Sequence, residues 1–213
     1  MAHAVLPSRL VAAVEDERSG ATDVTRNVID ALFEVLDDGT ALDAALDLIE
    51  RRLTWCAPAW LVARTARRPD RVPALRALLY GIDRDVDRSI ATAVELLARR
   101  GGPVRTVAGS MLVDTVVGRL PEPVGTAEPT GLVGADAVGP TAIFNSIGTA
   151  SLARTMPTIV VTTSIKLVPE APFARLSGAI FERIALDRFE AVVLDGEVLT
   201  PAEAGRRAAA LAN

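Results

Sequence analysis

Single polar residues follow several apolar runs in the second half of the chain, and these residues could carry chemistry. Asp136 ends the run VGAD, Lys166 comes shortly after TIVVTTS, and Gly109 and Ser110 follow VRTVA. A carboxylate at the end of a buried strand is unfavourable unless it is paired, hydrogen-bonded or used. Because ligands bind beyond the carboxyl ends of parallel strands, these positions predict a crevice for a small polar or phosphorylated ligand.

Asp136 and Lys166 each have a structural alternative. Asp136 is either a proton-transfer or ligand-binding carboxylate, or a turn acid bonded to backbone N–H groups of the loop at Gly139 and Pro140. Lys166 is the only lysine among 23 basic residues. It either binds the ligand or forms a buried ion pair, or it lies at the surface with its stem along apolar neighbours. The sequence leaves both choices open.

The segment NSIGTASLART predicts a helix that opens with Asn145, Gly148 and Thr149. Backbone N–H groups at the start of a helix favour a bound anion. These three residues are therefore predicted to contact the phosphate of the ligand. Ordinary helix capping is the structural alternative.

Two residues that often build catalytic sites occur only once. Cys56 is the only cysteine and His3 is the only histidine. A single cysteine forms no internal disulfide and no cysteine-based metal site. A single histidine near the N-terminus argues against a Ser-His-Asp triad and against a histidine-ligated zinc ion. We therefore expect neither a metal nor a cofactor.

The elements that position these residues fall into two segments. Up to Gly102, apolar residues recur at helical spacing, and the longest stripe runs from Leu75 to Leu97. Beyond Gly102, short β-branched runs alternate with helical stretches, which predicts a mostly parallel sheet flanked by helices. We predict an α/β protein with a helical domain at 1–102 and a small Rossmann-like domain at 103–213. The predicted strands are 104–108, 131–138, 158–164 and 191–195.

Composition limits the class of protein. Half of the 213 residues are hydrophobic, which is enough for a substantial core, and the net charge is -4. An acidic balance argues against nucleic acid as a partner. The N-terminus is charged too early for a signal peptide, and no apolar run is long enough to span a bilayer. We expect a cytoplasmic protein that does not bind membranes.

Four sequence motifs in the second half of the chain resemble those of one family, and they occur in the same order. They are VGADAV, NSIGTASLA, VVTTSIKLVPE and FERIALDRFEAVVLDGEVLTPAE. They are similar to motifs of the alpha, beta and delta subunits of translation initiation factor 2B and of the related sugar-phosphate isomerases. Those isomerases act on methylthioribose 1-phosphate or ribose 1,5-bisphosphate. The resemblance implies a helical domain, a Rossmann-like domain, a homodimer and a sugar-phosphate crevice that contains Asp136 and Lys166.

The chain departs from the family pattern at several site positions. In the isomerases a cysteine after the first sheet strand works with the aspartate that matches Asp136, and here Ala108 or Gly109 stands in its place. The family's Asn-Lys pair is Asn145-Ser146, so one cation expected near the phosphate is missing. Between Ser110 and the second strand, the chain is also too short for the further strand and helix that the family has.

Other residues could compensate for these losses. Arg64 and Arg105 are candidates for the missing cation, and WCAPAW could mark the place where the helical domain meets the ligand. Ser110 is near the lost thiol, but a hydroxyl without an activating base is a poor proton carrier.

Two functions from different classes follow from the resemblance and its departures. The first is a non-catalytic protein that binds a sugar phosphate or nucleotide-like ligand in a regulatory or structural role. The alternative is an aldose-ketose sugar-phosphate isomerase that uses Asp136 without the usual cysteine. Losing one of two proton carriers typically lowers the rate by about 10²–10⁴, which favours the first function.

Overall fold

The first half of the chain consists of helices. The computed structural model describes residues 6–16, 18–107, 109–123 and 127–211. Within these ranges the helices before the sheet are α1 (Ser8–Val14), α2 (Ala21–Leu32), α3 (Gly39–Arg52), α4 (Ala57–Ala66) and α5 (Arg71–Arg100). Asp70 precedes α5, and Gly101, in the left-handed conformation at φ 69°, ends it. None of the described helices is long and apolar enough to cross a membrane.

A five-stranded, mostly parallel sheet occupies the second half. In spatial order its strands are β1 (Val104–Thr106), β2 (Thr130–Val133), β5 (Thr158–Thr162), β7 (Ala191–Leu194) and β8 (Glu197–Leu199). The first four are parallel, and β8 pairs antiparallel with β7. The helices of this half are α6 (Met111–Arg119), α7 (Thr149–Thr155), α8 (Glu170–Arg175) and α9 (Pro201–Ala210). The predicted α/β class, with a mostly parallel sheet flanked by helices, is confirmed.

A second, antiparallel sheet was not predicted. It contains β3 (Ala137–Val138), β4 (Ala142–Ser146) and β6 (Phe181–Ala185), in the spatial order β3-β4-β6. The predicted strand over 131–138 is wrong because the chain leaves the main sheet after Val133 and enters the second sheet at Ala137. The predicted helix start at Asn145 is also wrong. Asn145 pairs with Glu182 inside the second sheet, and α7 begins only at Thr149.

The main sheet has an apolar core on each face because its strands are buried on both sides. On one face, Ile159 and Val161 join the cluster of the helical segment, which includes Leu75 and Ile90 of α5. On the other face, Val160 and Val192 pack with α7 and α9. The helical segment is thus joined to the sheet by a continuous core.

Candidate functional site

A crevice lies beyond the carboxyl ends of β1, β2 and β5. Its volume is about 280 Å³. Five of the predicted site residues line it, although they come from four separate segments of the chain: Gly109, Ser110, Asp136, Asn145 and Lys166. The convergence follows from the parallel strands, whose carboxyl ends meet at one edge of the sheet.

Asp136 lies in the connection between the two sheets. Its backbone N–H donates to the Phe144 carbonyl at 2.9 Å, and its carboxylate makes no hydrogen bond within the described residues. The N–H of Gly139 donates instead to the carbonyl of Ala142 at 2.8 Å. The carboxylate of Asp136 therefore does not accept hydrogen bonds from the backbone of the loop at Gly139 and Pro140. Burial raises the pKa of this carboxyl above its ordinary value, and the positive charge of Lys166 partly opposes that shift.

Lys166 is buried beside Asp136. It ends a one-turn helix that starts at Ser164, whose N–H donates to the carboxylate of Asp195 at 2.9 Å. Only 7% of Lys166 is exposed, and within the described residues its ammonium group has neither a hydrogen bond nor an ion pair. The ammonium nitrogen itself reaches the open crevice, because among the described residues only the hydroxyl oxygens of Thr162 and Thr163 are fully buried without a partner. Lys166 can therefore meet an anion there.

Two helix N-termini also face the crevice. Gly20 caps α2 without a side-chain hydrogen bond, and Ser110 caps α6 by accepting a hydrogen bond from the N–H of Val113 at 3.4 Å. Both caps line the crevice together with Arg18. Partial positive charge at the helix starts adds to the charge of Lys166, while Asp23 and Asp114, in the first turns of the same helices, place carboxylates in the lining as well. No sequence pattern predicted Arg18 as a crevice residue, because it precedes α2 in a loop far from the matching motifs.

Gly148 and Thr149 lie behind the crevice rather than in its lining. Thr149 is fully buried, and the side-chain amide of Asn145 donates to its hydroxyl at 2.8 Å. The N–H groups of Gly148 and Ala150 both donate to one carboxylate oxygen of Glu182 at 2.9 Å. An internal anion therefore already occupies the start of α7. Arg64 and Arg105 do not line the crevice either.

The only thiol is close to the crevice but does not face it. Cys56 caps the start of α4, is 2% exposed, and lines a different groove. Burial raises its pKa to about 11, which opposes formation of the reactive thiolate. Gly109, at φ 104°, lines the crevice and is, with Ala108, one of the two residues that the resemblance aligns with the isomerases' cysteine. Ala108 lies outside the described residues.

The chain, with helices joined to a mostly parallel sheet and a crevice at the carboxyl ends of its strands, shares its fold with solved subunits of translation initiation factor 2B. No protein-family model matches the sequence, and no curated protein matches it either. Solved structures do match. Translation initiation factor eIF-2B of Pyrococcus horikoshii OT3 has a TM-score of 0.68 and 14% identity, covering 93% of this chain and 99% of that chain.

Two other solved structures extend the comparison. The delta subunit of the factor from Chaetomium thermophilum has a TM-score of 0.66 and 12% identity, covering 92% of this chain and 100% of that chain. The 5-methylthioribose 1-phosphate isomerase of Pyrococcus horikoshii OT3 has a TM-score of 0.55 and 15% identity, covering 96% of this chain and 87% of that chain. At these identities the similarity shows a shared fold. It therefore confirms, for the fold, the resemblance that the four sequence motifs indicated.

Proposed function

We propose that this protein binds a small phosphorylated ligand, such as a sugar phosphate, in the crevice and does not isomerise it. The observation that carries the proposal is Lys166, a buried lysine without a hydrogen-bond acceptor in the described structure, which lines a crevice faced by two helix starts. Helix starts and a lysine can hold an anion, although the carboxylates of Asp23, Asp114 and Asp136 also line the crevice. The fold shared with the initiation-factor subunits and an isomerase is consistent with a sugar-phosphate ligand.

In the proposed complex, Lys166 and the backbone at Gly109 and Ser110 contact the phosphate. Asp136 and Asn145 face the ligand's hydroxyl groups. Gly148 and Thr149 act indirectly, because the Thr149 hydroxyl accepts the hydrogen bond that orients the Asn145 amide. Arg18, at the start of α2, supplies a further positive charge in place of the cation that the sequence lacks at Ser146.

The described lining of the crevice contains neither a thiol nor an imidazole as a partner for Asp136, which supports the non-catalytic role. An aldose-ketose isomerisation moves a proton between adjacent carbons, and Asp136 is the one partly buried acid whose raised pKa suits such a step. The Cys56 thiol is buried outside the crevice, and Ser110 already accepts a backbone hydrogen bond as a helix cap. Isomerase activity through Asp136 remains the second candidate function because of that raised pKa.

Ligand-dependent stabilisation tests the proposal. Ribose 1,5-bisphosphate at a hundred times its dissociation constant should stabilise the wild type by about 2.7 kcal/mol. Lys166→Met should abolish the stabilisation. Arg105→Met removes a similar charge from β1, outside the crevice, and should leave the stabilisation intact.

Two results would contradict this function. Equal stabilisation of Lys166→Met and wild type would remove Lys166 from the site. Turnover of ribose 1,5-bisphosphate or methylthioribose 1-phosphate by the wild type, lost in Asp136→Asn, would establish the isomerase function instead.

We also propose a homodimer that uses the end of the second sheet. Ile147 and Ile180 are 61% and 67% exposed, and the N–H of Ile147 donates to the carbonyl of Ile180 at 2.9 Å. Two large aliphatic side chains next to each other at the surface are a small apolar patch that a second copy could cover. A solved relative with this fold, from C. thermophilum, is a tetrameric complex of beta and delta subunits.

A further inference from the structure

Three polar side chains form the most deeply buried part of the crevice. Lys166 and Asn145 are each only 7% exposed, and Asp136 is partly buried. The N–H of Asp136 donates to the carbonyl of Phe144, the residue before Asn145, and the charge of Lys166 acts on the Asp136 carboxyl. We call Asp136, Asn145 and Lys166 the floor of the crevice. These side chains decide which chemical groups of a ligand fit there.

The amide of Asn145 has its orientation fixed by Thr149. The Thr149 hydroxyl donates its one hydrogen to the carbonyl of Ser146 at 2.8 Å, so from Asn145 it can only accept a hydrogen bond, which the amide nitrogen donates at 2.8 Å. The amide oxygen of Asn145 has no hydrogen bond within the described residues, and the only fully buried polar side-chain atoms without a partner there are the hydroxyl oxygens of Thr162 and Thr163. The amide oxygen therefore reaches the open crevice, where it can accept a hydrogen bond from a ligand.

Unpaired charges of both signs line the crevice. Of its three carboxylates, that of Asp23 pairs with Arg26 at 2.6 Å, whereas those of Asp114 and Asp136 have no ion pair among the described residues. The two basic side chains of the described lining are also without an ion pair. A ligand with only negative groups would leave the two free carboxylates without a partner. The lining therefore matches a ligand that carries both signs of charge.

Hydrogen-bonding capacity distinguishes a ligand hydroxyl from a ligand ammonium group at the floor. Asp136 offers two carboxylate oxygens and Asn145 one amide oxygen, and none of them has a donor in the described part of the chain. A hydroxyl has one hydrogen to donate, whereas an ammonium group has three. The charge of an ammonium group also attracts the Asp136 carboxylate, and burial strengthens this attraction. An ammonium group therefore satisfies the floor more completely than a hydroxyl does.

From these features we propose that the ligand of the crevice carries an ammonium group as well as a phosphate, as an amino sugar phosphate does. Lys166 contacts the phosphate as in the proposed function, on which this inference rests. The ammonium group donates to the Asp136 carboxylate and to the Asn145 amide oxygen, so each charged group of the floor has a partner of opposite sign. The crevice volume of about 280 Å³ lies just below the usual range for ligand pockets, so one sugar ring with one phosphate is the size that fits.

Calorimetric titration with glucosamine 6-phosphate and glucose 6-phosphate tests the ammonium site, because the two compounds differ only in an ammonium group in place of a hydroxyl. Below the pKa of that amine, the wild type should bind glucosamine 6-phosphate about tenfold more tightly. Asp136→Asn removes the negative charge and should reduce this preference to about threefold or less. Asn145→Ala removes one acceptor and should reduce it by a smaller factor. Asp43→Asn, which changes an exposed acid on α3 outside the crevice, is the matched control and should retain the preference.

Lys166→Met separates this inference from the proposed function. It should weaken both sugar phosphates by a similar factor, because each carries the phosphate that Lys166 contacts. Equal affinity of the wild type for the two compounds, with both weakened in Lys166→Met, would overturn the ammonium site and leave the phosphate site standing. Binding of neither compound would contradict the proposed function together with this inference. Wild-type preference in Asp136→Asn, or binding of glucosamine as tight as that of glucosamine 6-phosphate, would also overturn the inference.

Discussion

At the scale of single residues, Asp136 combines a cost to stability with the binding role that we propose for it. Its carboxylate is partly buried and has no hydrogen bond within the described residues. Burial raises its pKa above the ordinary 3.8, so the folded protein keeps a proton that the unfolded chain releases. The contribution of this group to stability therefore falls as the pH rises through the folded-state pKa.

Asp136→Asn keeps the shape of the side chain and removes its ionisation. We expect the variant to unfold at higher denaturant concentration than the wild type at pH 7. We expect the difference in free energy of unfolding between the variant and the wild type to shrink as the pH falls towards and below 3.8. There Asp136 is protonated in both the folded and the unfolded wild type. Ribose 1,5-bisphosphate should bind about tenfold to a hundredfold more weakly, the range for a lost hydrogen bond to a charged group.

Urea titrations at several pH values and calorimetry measure the two effects of Asp136→Asn. Asp43→Asn is the control, because Asp43 is exposed on α3 and does not line the crevice. A pH-independent difference from the wild type would show that ionisation of Asp136 has no part in stability. Unchanged affinity would show that Asp136 does not contact the ligand.

The sequence predicted that Asp136 and Lys166 belong to the crevice, but it did not predict all of the residues around them. Asp136 and Lys166 were predictable because each follows an apolar run, and in a parallel sheet the strand ends meet. Arg18 and Glu182 were not predictable in this way. Arg18 reaches the crevice through packing of the helical segment, and Glu182 reaches α7 through the antiparallel sheet, neither of which leaves a local pattern.

At the scale of elements, α7 depends on a carboxylate from a neighbouring strand. Glu182 of β6 accepts hydrogen bonds from the N–H groups of Gly148 and Ala150, both at 2.9 Å. These groups belong to the first turn of a seven-residue helix that has no side-chain cap of its own.

Glu182→Ala should lower the free energy of unfolding by about 1–2 kcal/mol, since it leaves the two N–H groups without a protein acceptor. Glu182→Gln retains a carbonyl acceptor and should cost less. Denaturant unfolding measures the difference. Glu170→Ala, an exposed acid in the first turn of α8, is the control. An equal loss in the Ala and Gln variants would show that the acceptor is unimportant.

Strong periodicity made some elements predictable and weak periodicity hid others. The stripe between Asp70 and Gly101 predicted α5, and the β-branched TIVVT predicted β5. The strands β3 and β6 were missed because β3 has only two residues and β6 carries Glu182 and Arg183 side by side. Register in the second sheet depends on pairing with β4, which local preference does not encode.

At the scale of the whole molecule, the predicted boundary at residue 102 lies where the chain changes from helices to the sheet. The residues on its two sides nevertheless share one hydrophobic core. The helices end with α5, and β1 begins at Val104. One apolar cluster nevertheless contains Ile90 of α5 together with Ile159 and Val193 of the sheet. The spacing of apolar residues predicted both kinds of segment, but the sequence alone did not indicate how completely one packs on the other.

The proposed homodimer can be tested at the Ile147 and Ile180 patch. Ile180→Asp places a charge in the patch, and we expect it to convert a dimer into a monomer because burying an unpaired carboxylate is costly. Val198→Asp makes the same kind of change at a site on β8 that is 48% exposed and should leave the dimer intact. Light scattering after size exclusion measures the mass. A wild-type monomer at micromolar concentration, or a dimeric Ile180→Asp, would contradict this interface.

The single lysine gives the crevice a chemical label that the rest of the surface lacks. All other basic side chains are arginines, apart from one histidine, so acylating and alkylating reagents directed at side-chain amines have one target, Lys166. That target lines the crevice and is only 7% exposed. The rate at which such a reagent modifies Lys166, measured apart from the α-amino group at the N-terminus, is thus a direct readout of whether the crevice is open or occupied. No lysine elsewhere contributes background to that signal.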